Sequence, residues 1–388
     1  MRSCTFPLAA AATAVLAAPR YAMYFDQYVP PSLALSLSVT DYPSPRWHKA
    51  TLPPKDVTAG VHYVITAFAP SETFNSGSSY QPFMPLDQVR ALFDEGTKVC
   101  MAIGGWGDTS GFSIGAATEE KRKTYAKNVA TALNKLGYDC VDIDWEYPGG
   151  NGQDYKQTPN DKKVSEIDTY PLLLQEIKTA IGDKELSIAI PGREGDMIAF
   201  TAEQVPKIDR IVDFINVMAY DIMNRRDNAT NHHTSVVDCA HTIDIYIKRG
   251  MTASKMNLGF AFYAKYFTTK DGVKCTEPTG CATAVLEAAD GSDPGLSGAV
   301  TFEIENYNNA AFVKALQNGK EDADKGGMWY WDSSTKQYWT WDAPDLVARK
   351  FKEIVAAKKL GGVFAWSLAQ DSHDWSHFKA MQAGVKSL

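Results

Sequence analysis

Three acids occupy alternate positions in the run Asp139-Cys140-Val141-Asp142-Ile143-Asp144-Trp145-Glu146-Tyr147-Pro148. Val141, Ile143 and Trp145 between them are apolar, so the run reads as a buried strand. Side chains alternate along a strand, which puts Asp142, Asp144 and Glu146 on one face and the apolar residues on the other. Three carboxyl groups so placed cannot all ionise cheaply, because mutual repulsion and lost hydration raise at least one pKa. Acids whose pKa values are pushed apart are suited to separate acid and base roles. A carboxylate metal site fits less well: the run has no calcium-loop glycine and no histidine beside it, so no metal and no cofactor are expected.

The elements that must position these acids follow a regular rhythm. Strands are expected at 21–25, 62–68, 98–103, 140–146, 186–190, 214–220, 256–262 and 362–367, most of them about thirty to forty residues apart, the size of a βα unit. Helical patterns fill the gaps, notably 86–93, 119–136, 167–181, 202–211, 236–248 and 344–359. Eight such units imply a closed (β/α)₈ barrel, an α/β TIM barrel whose active site sits where the strands end. Residues 27–60, rich in Pro, show no convincing first helix, and 30–52 match no expected element. The polar stretch 268–332 exceeds what a βα unit needs and reads as a small α+β insertion lobe between the seventh and eighth strands. Trp329, Trp331, Trp339 and Trp341 near its end suit the hydrophobic base of that lobe better than exposed ligand platforms.

The pattern DxxDxDxE at 139–146 resembles the signature of glycoside hydrolase family 18, the chitinases and their relatives. Other strand ends agree. Ala102-Ile103-Gly104-Gly105-Trp106 is similar to the family's SxGG element, and Met218-Ala219-Tyr220-Asp221 to its MxYD element. Leu258–Tyr263 and Gly362–Ser367 resemble its seventh- and eighth-strand motifs, and the overall pattern is nearest to secreted fungal chitinases. The resemblance implies Glu146 as the general acid, Asp144 as the holder of the substrate's acetamido group, and Asp142 with Asp139 as sharers of its proton. It implies Tyr220 on the acetamido carbonyl, Asp221 on sugar hydroxyls, Trp366 as the sugar floor and Trp106 as a neighbouring platform. Gly105, Tyr147, Met218 and Tyr263 fall in the same motifs and are expected to bind substrate. One departure is Ala102, which stands where the family usually has Ser and removes a hydroxyl expected near Asp142.

The implied activity is an endo-acting chitinase that uses the substrate's own acetamido group as nucleophile. An endo-β-N-acetylglucosaminidase of N-glycans and a sugar-binding lectin are the alternatives; the intact Glu146 weighs against the lectin. The chain of 388 residues, 45% hydrophobic and 22% charged, buries a large core without staples. Its net charge of -7 and lack of basic runs exclude nucleic acid and membranes as main partners, leaving chitin and its oligosaccharides, bound by a monomer. Residues 1–17 have the apolar, small-residue character of a secretory signal peptide, so 18–388 is the expected extracellular catalytic barrel. Cys275 and Cys281 flank a turn and suit a local disulfide, whereas Cys100 and Cys140 suit free core residues. Asn228-Ala229-Thr230 is a glycosylation sequon.

The acid assignment yields a direct expectation. Glu146→Gln keeps the shape of the side chain but has no proton to give, so hydrolysis of N-acetylglucosamine oligomers should fall by on the order of 10² to 10⁴ while binding persists. Turnover and oligomer affinity measured on the variant check this; near wild-type turnover would refute the role.

Overall fold

The computed structural model describes residues 19–26 and 51–388. The expected leader 1–17 and nearly all of the unassigned stretch 30–52 lie outside the described residues.

Eight parallel strands close into a barrel: β1 (Arg20–Asp26), β2 (Tyr63–Ala69), β3 (Lys98–Gly104), β4 (Cys140–Asp144), β5 (Glu185–Pro191), β6 (Phe214–Met218), β7 (Met256–Ala261) and β13 (Gly362–Trp366). All eight expected strands are present, with ends shifted by a residue or two. β4 and β6 stop short of Glu146 and Tyr220, which sit just past the strand ends. The helix Glu119–Leu136 shows how local chemistry aims β4. Its first turn is capped by Thr118, whose side chain accepts from the Lys121 N–H. It stops at Gly137, whose φ of 81° turns the chain back toward the barrel. Helix Val236–Lys248 appears with the expected bounds. The expected helix 344–359 runs as Pro344–Lys350 and then widens into a π-turn over Phe351–Ala356. A final helix, Ser376–Lys386, lies beyond any element expected from the sequence.

The barrel interior and its outer layer differ in kind. Outward residues such as Met23, Val99, Val141 and Ile143 are fully buried beneath the helices in one large apolar core. The inner face mixes small apolar groups, including Ala22, Ala102 and Ala189, with the rings of Tyr24, Phe214 and Phe364, beside buried Asp142, Ser187, Asn216 and Asn257. Cys100 and Cys140 also face inward, and here the expectation of free thiols is corrected: they form a disulfide, with Cα atoms 4.4 Å apart. The two residues are direct partners in the β3–β4 register. That register is a relation between strands, which the pattern along either strand cannot reveal. Cys239 is free and buried.

Between β7 and β13 the chain builds a second, five-stranded antiparallel sheet: β8 (Tyr263–Thr268), β9 (Ser297–Thr301), β10 (Lys320–Asp322), β11 (Gly327–Asp332) and β12 (Gln337–Trp341). The helix Ala310–Asn318 joins it. This sheet starts before and ends after the expected span 268–332, because β8 follows β7 with one residue between them. Trp339 and Trp341 are buried inside the lobe, and Trp329 and Trp331 pack against its interior. Cys275 and Cys281 are bonded in the lobe. Asn228 is exposed beside it, with the Thr230 hydroxyl taking the Cys281 N–H at 3.0 Å.

Candidate active site

Asp142 lies wholly buried in the barrel lumen. Its Oδ2 accepts from the Tyr24 hydroxyl at 2.6 Å; its Oδ1 accepts from the Ser187 hydroxyl at 2.5 Å and from Asn216 Nδ2 at 3.2 Å. Burial pushes its pKa up, and these three donors work against that rise. The hydroxyl that Ala102 lacks is thus replaced by Ser187 on β5, the strand on the other side of β4. Asp144, two residues on, is also buried, and its Oδ1 has no hydrogen-bond partner. Burial, with Glu146 and Asp142 beside it, drives the Asp144 pKa well above the usual carboxylate range. Glu146 follows at the pocket edge. Burial, with Asp221 and Asp196 nearby, pushes it up to about 8 against a hydrogen bond from Tyr147.

Asp139 does not belong to this group. It precedes β4 at the opposite end of the barrel, where Oδ2 takes the Val99 N–H at 2.8 Å and pairs with Arg90 at 2.8 Å. The expectation that it shares a proton with Asp142 is corrected. Asp139 is an odd number of residues from Asp142 and so faces the other way.

A cavity of about 620 Å³ opens over the strand ends. Asp144, Glu146, Tyr147, Met218, Tyr220 and Asp221 line it, together with Tyr263, Trp106 and Trp366. Trp366 is half-buried at its base, stacked on Phe68 and leaning on Tyr24, with ring centres 5.6 Å from each. Trp106 is 50% exposed, the largest solvent-facing aromatic at the site. Asp221 accepts from the Tyr263 hydroxyl at 3.0 Å and from Lys265 at 2.9 Å, and stands 3.7 Å from buried His233. Burial would raise Asp221, but Lys265 and His233 outweigh it and hold this carboxyl below the usual range. Gly105 does not line the cavity. Its N–H binds the Asp144 carbonyl at 2.8 Å, and a Cβ there would strike the Phe68 ring, so the expected substrate contact is corrected to a backbone support for Asp144.

Sequence reasoning missed several lining groups. Arg226 packs over the Trp106 and Tyr155 rings, donates to the carbonyls of Asn151 and Gly152, and lies 3.7 Å from Asp196. Arg225 meets Glu287 of the lobe at 3.0 Å, and the Tyr155 hydroxyl binds the same carboxylate. These contacts tie the loop after β4 and the loop after β6 to the lobe. The Arg225-Arg226 pair, just beyond the Tyr220-Asp221 strand end, was the available signal. Among the described residues no group of three or more His, Cys, Asp or Glu side chains could hold a metal ion.

The sequence profile "Glycosyl hydrolases family 18" matches residues 20–371, a span that includes the whole barrel and every group above. The chain belongs to glycoside hydrolase family 18. Among family 18 relatives, "Endochitinase 1" of Metarhizium anisopliae is 27% identical over 286 residues, covering 71% of this chain and 62% of its own length. "Chitinase A1" of Niallia circulans is 28% identical over 305 residues, covering 71% of this chain and 40% of its own. The chain thus spans less than two thirds of the length of these relatives. In fold it is similar to the Ostrinia furnacalis Group II chitinase catalytic domain 2, with a TM-score of 0.73 and 20% identity over 96% of this chain and 97% of that one. A plant class V chitinase mutant from Cycas revoluta, solved in complex with (GlcNAc)3, gives 0.66 and 18% over 94% and 99%.

The position of Trp366 in this family 18 site is testable. Trp366→Ala should weaken oligomer binding by about tenfold or more, while the barrel stays folded. Loss of a core residue would instead remove roughly 3–5 kcal/mol of stability. Thermal unfolding measured beside affinity separates the two, and a large fall in Tm with unchanged affinity would mark Trp366 as core.

Proposed function

We propose that this chain is a secreted, endo-acting chitinase that cuts β-1,4 bonds between N-acetylglucosamine units with retention of configuration. The observation that carries this reading is the pair Asp144 and Glu146. One buried carboxyl has an oxygen without a partner, and the next acid two residues on is pushed up to about 8 at the cavity edge. A group with that pKa is protonated at neutral pH and is suited to protonate a glycosidic oxygen.

The nucleophile follows from what the other carboxyls are doing. Asp144 ends β4 and Glu146 follows two residues on, so Asp144 stands beside the acid rather than across a sugar ring. Asp221 is committed to Tyr263 and Lys265. The substrate's 2-acetamido oxygen fills the role, attacking the anomeric carbon to give an oxazolinium ion, the exception to the usual two-carboxylate scheme. Asp144 would stabilise the charge developing on the amide nitrogen, Tyr220 would hold the carbonyl in line, and Asp142 would keep Asp144 protonated until it is needed. Trp366 would lie under the reacting sugar and Trp106 under its neighbour. The aromatic base of the cavity and the chitinase names among the relatives support chitin over N-glycans. Two disulfides among the described residues support an oxidising, extracellular destination. No helix among them is long and apolar enough to cross a membrane.

The mechanism predicts a β-anomeric first product by NMR, and hydrolysis that disappears when the sugar at the cut site lacks its N-acetyl group. Comparable rates on fully deacetylated oligomers, or an α-anomeric first product, would refute it. Release from chitin oligomers against release from a glycoprotein decides the substrate.

A further inference from the structure

The acids rest on a line of hydrogen bonds that continues down the barrel lumen, away from the cavity. Asn216 on β6 gives Nδ2 to Asp142 Oδ1 and to the Tyr24 hydroxyl, each at 3.2 Å. Its Oδ1 accepts from Asn257 Nδ2 on β7 at 2.9 Å. Asn257 Oδ1 accepts from Arg20 Nε, at the start of β1, at 3.0 Å. The same guanidinium donates to the Ser254 carbonyl at 2.8 Å, which fixes its end of the line. Both asparagines are completely buried, so water does not offer them other partners.

This line has a forced direction. A guanidinium has donors and no acceptor. Asn257 must therefore turn its oxygen to Arg20, which leaves only N–H for Asn216. Asn216 must accept with its oxygen, which leaves only N–H for Asp142 and Tyr24. Tyr24, having accepted from Asn216, has its single proton to give to Asp142. Ser187 adds one more donor. Both oxygens of Asp142 thus face donors, while Asp144 keeps one oxygen without a partner.

We propose that Arg20 and Asn257 are positioning residues that hold Asp142 as the ionised member of the acid cluster and leave the cluster's proton on Asp144. The proposal rests on the reading of Asp142 and Asp144 as a working pair. The electrostatics agree: burial raises both, but Asp144 much the further. The charged and titratable groups facing Asp142 are Tyr24 from β1, Asp144 from β4 and Tyr220 beyond β6, with Tyr170 of the helix Glu166–Ile181 near it from the outer core. Those facing Arg20 are Tyr63 and Glu185, and Glu185 is bound by Lys98. Among the described residues Arg20 is the one cation joined to the acids through the buried amides.

Neutron diffraction from deuterated wild-type crystals reads the direction of the line without any variant. No deuteron on either Asp142 oxygen, and Asn216 amide deuterons facing Asp142, are expected. A deuteron on Asp142, or the Asn216 oxygen turned toward it, would overturn the proposal. Kinetics supply an independent reading. Arg20→Gln can present either end of its amide and releases the direction, whereas Arg20→Lys still only donates. The acid limb of kcat/KM on N-acetylglucosamine oligomers should move up by about 0.5–1 pH unit in Arg20→Gln and in Asn257→Leu. It should stay in place in Arg20→Lys. Folded Arg20→Gln and Asn257→Leu proteins with an unmoved limb would overturn the proposal, and if they do not fold the neutron map decides. A wild-type protein inactive on these oligomers would sink the functional reading but leave the neutron result standing.

Discussion

Placing three carboxyl groups at alternate positions along β4 and just past its end, two of them buried, is the constraint around which this barrel is organised. An isolated carboxylate moved into low dielectric costs so much that it protonates or acquires donors instead. Each of these acids meets that cost differently. Asp142 gathers donors from β1, β5 and β6, Asp144 stays without a partner on one oxygen, and Glu146 reaches the cavity edge. The three carboxyls end with different proton affinities, Asp144 well above the usual range and Glu146 at about 8, and a closed barrel produces this because neighbouring strands can all point polar groups at one place.

The surrounding structure serves that arrangement. Glycines after β3 let the loop backbone come close enough to bind the Asp144 carbonyl. The lobe adds Lys265, which takes up the charge of Asp221 and so keeps a fourth carboxylate from acting as a free base beside Glu146. Its Glu287 fastens the loops after β4 and β6. Ion pairs at such a rim contribute little to stability singly, so their effect is on the shape of the cavity.

The eight barrel strands, most of the long helices and the acids at the end of β4 were legible in the sequence because each depends on periodicity within one segment. Alternation alone placed Asp142, Asp144 and Glu146 together; it faces Asp139 the other way, and the motif resemblance drew Asp139 into the group against it. What escaped depends on relations between segments. Cys100 and Cys140 meet through the β3–β4 register, and Arg20, Asn257 and Asn216 come from three strands. Ala102 seemed to leave Asp142 short of a donor, yet Ser187 supplies one from the strand on the opposite side. A missing hydroxyl can be read from one motif, but its replacement from another strand cannot.

Burial raises Glu146 to about 8, and the alkaline limb of kcat/KM on N-acetylglucosamine oligomers reads most directly whether it is the proposed acid. Because the acid must carry its proton to act, activity should persist through neutrality and fall as pH rises through about 8. An alkaline limb near 4 to 5, about where an unperturbed glutamate titrates, would contradict the account.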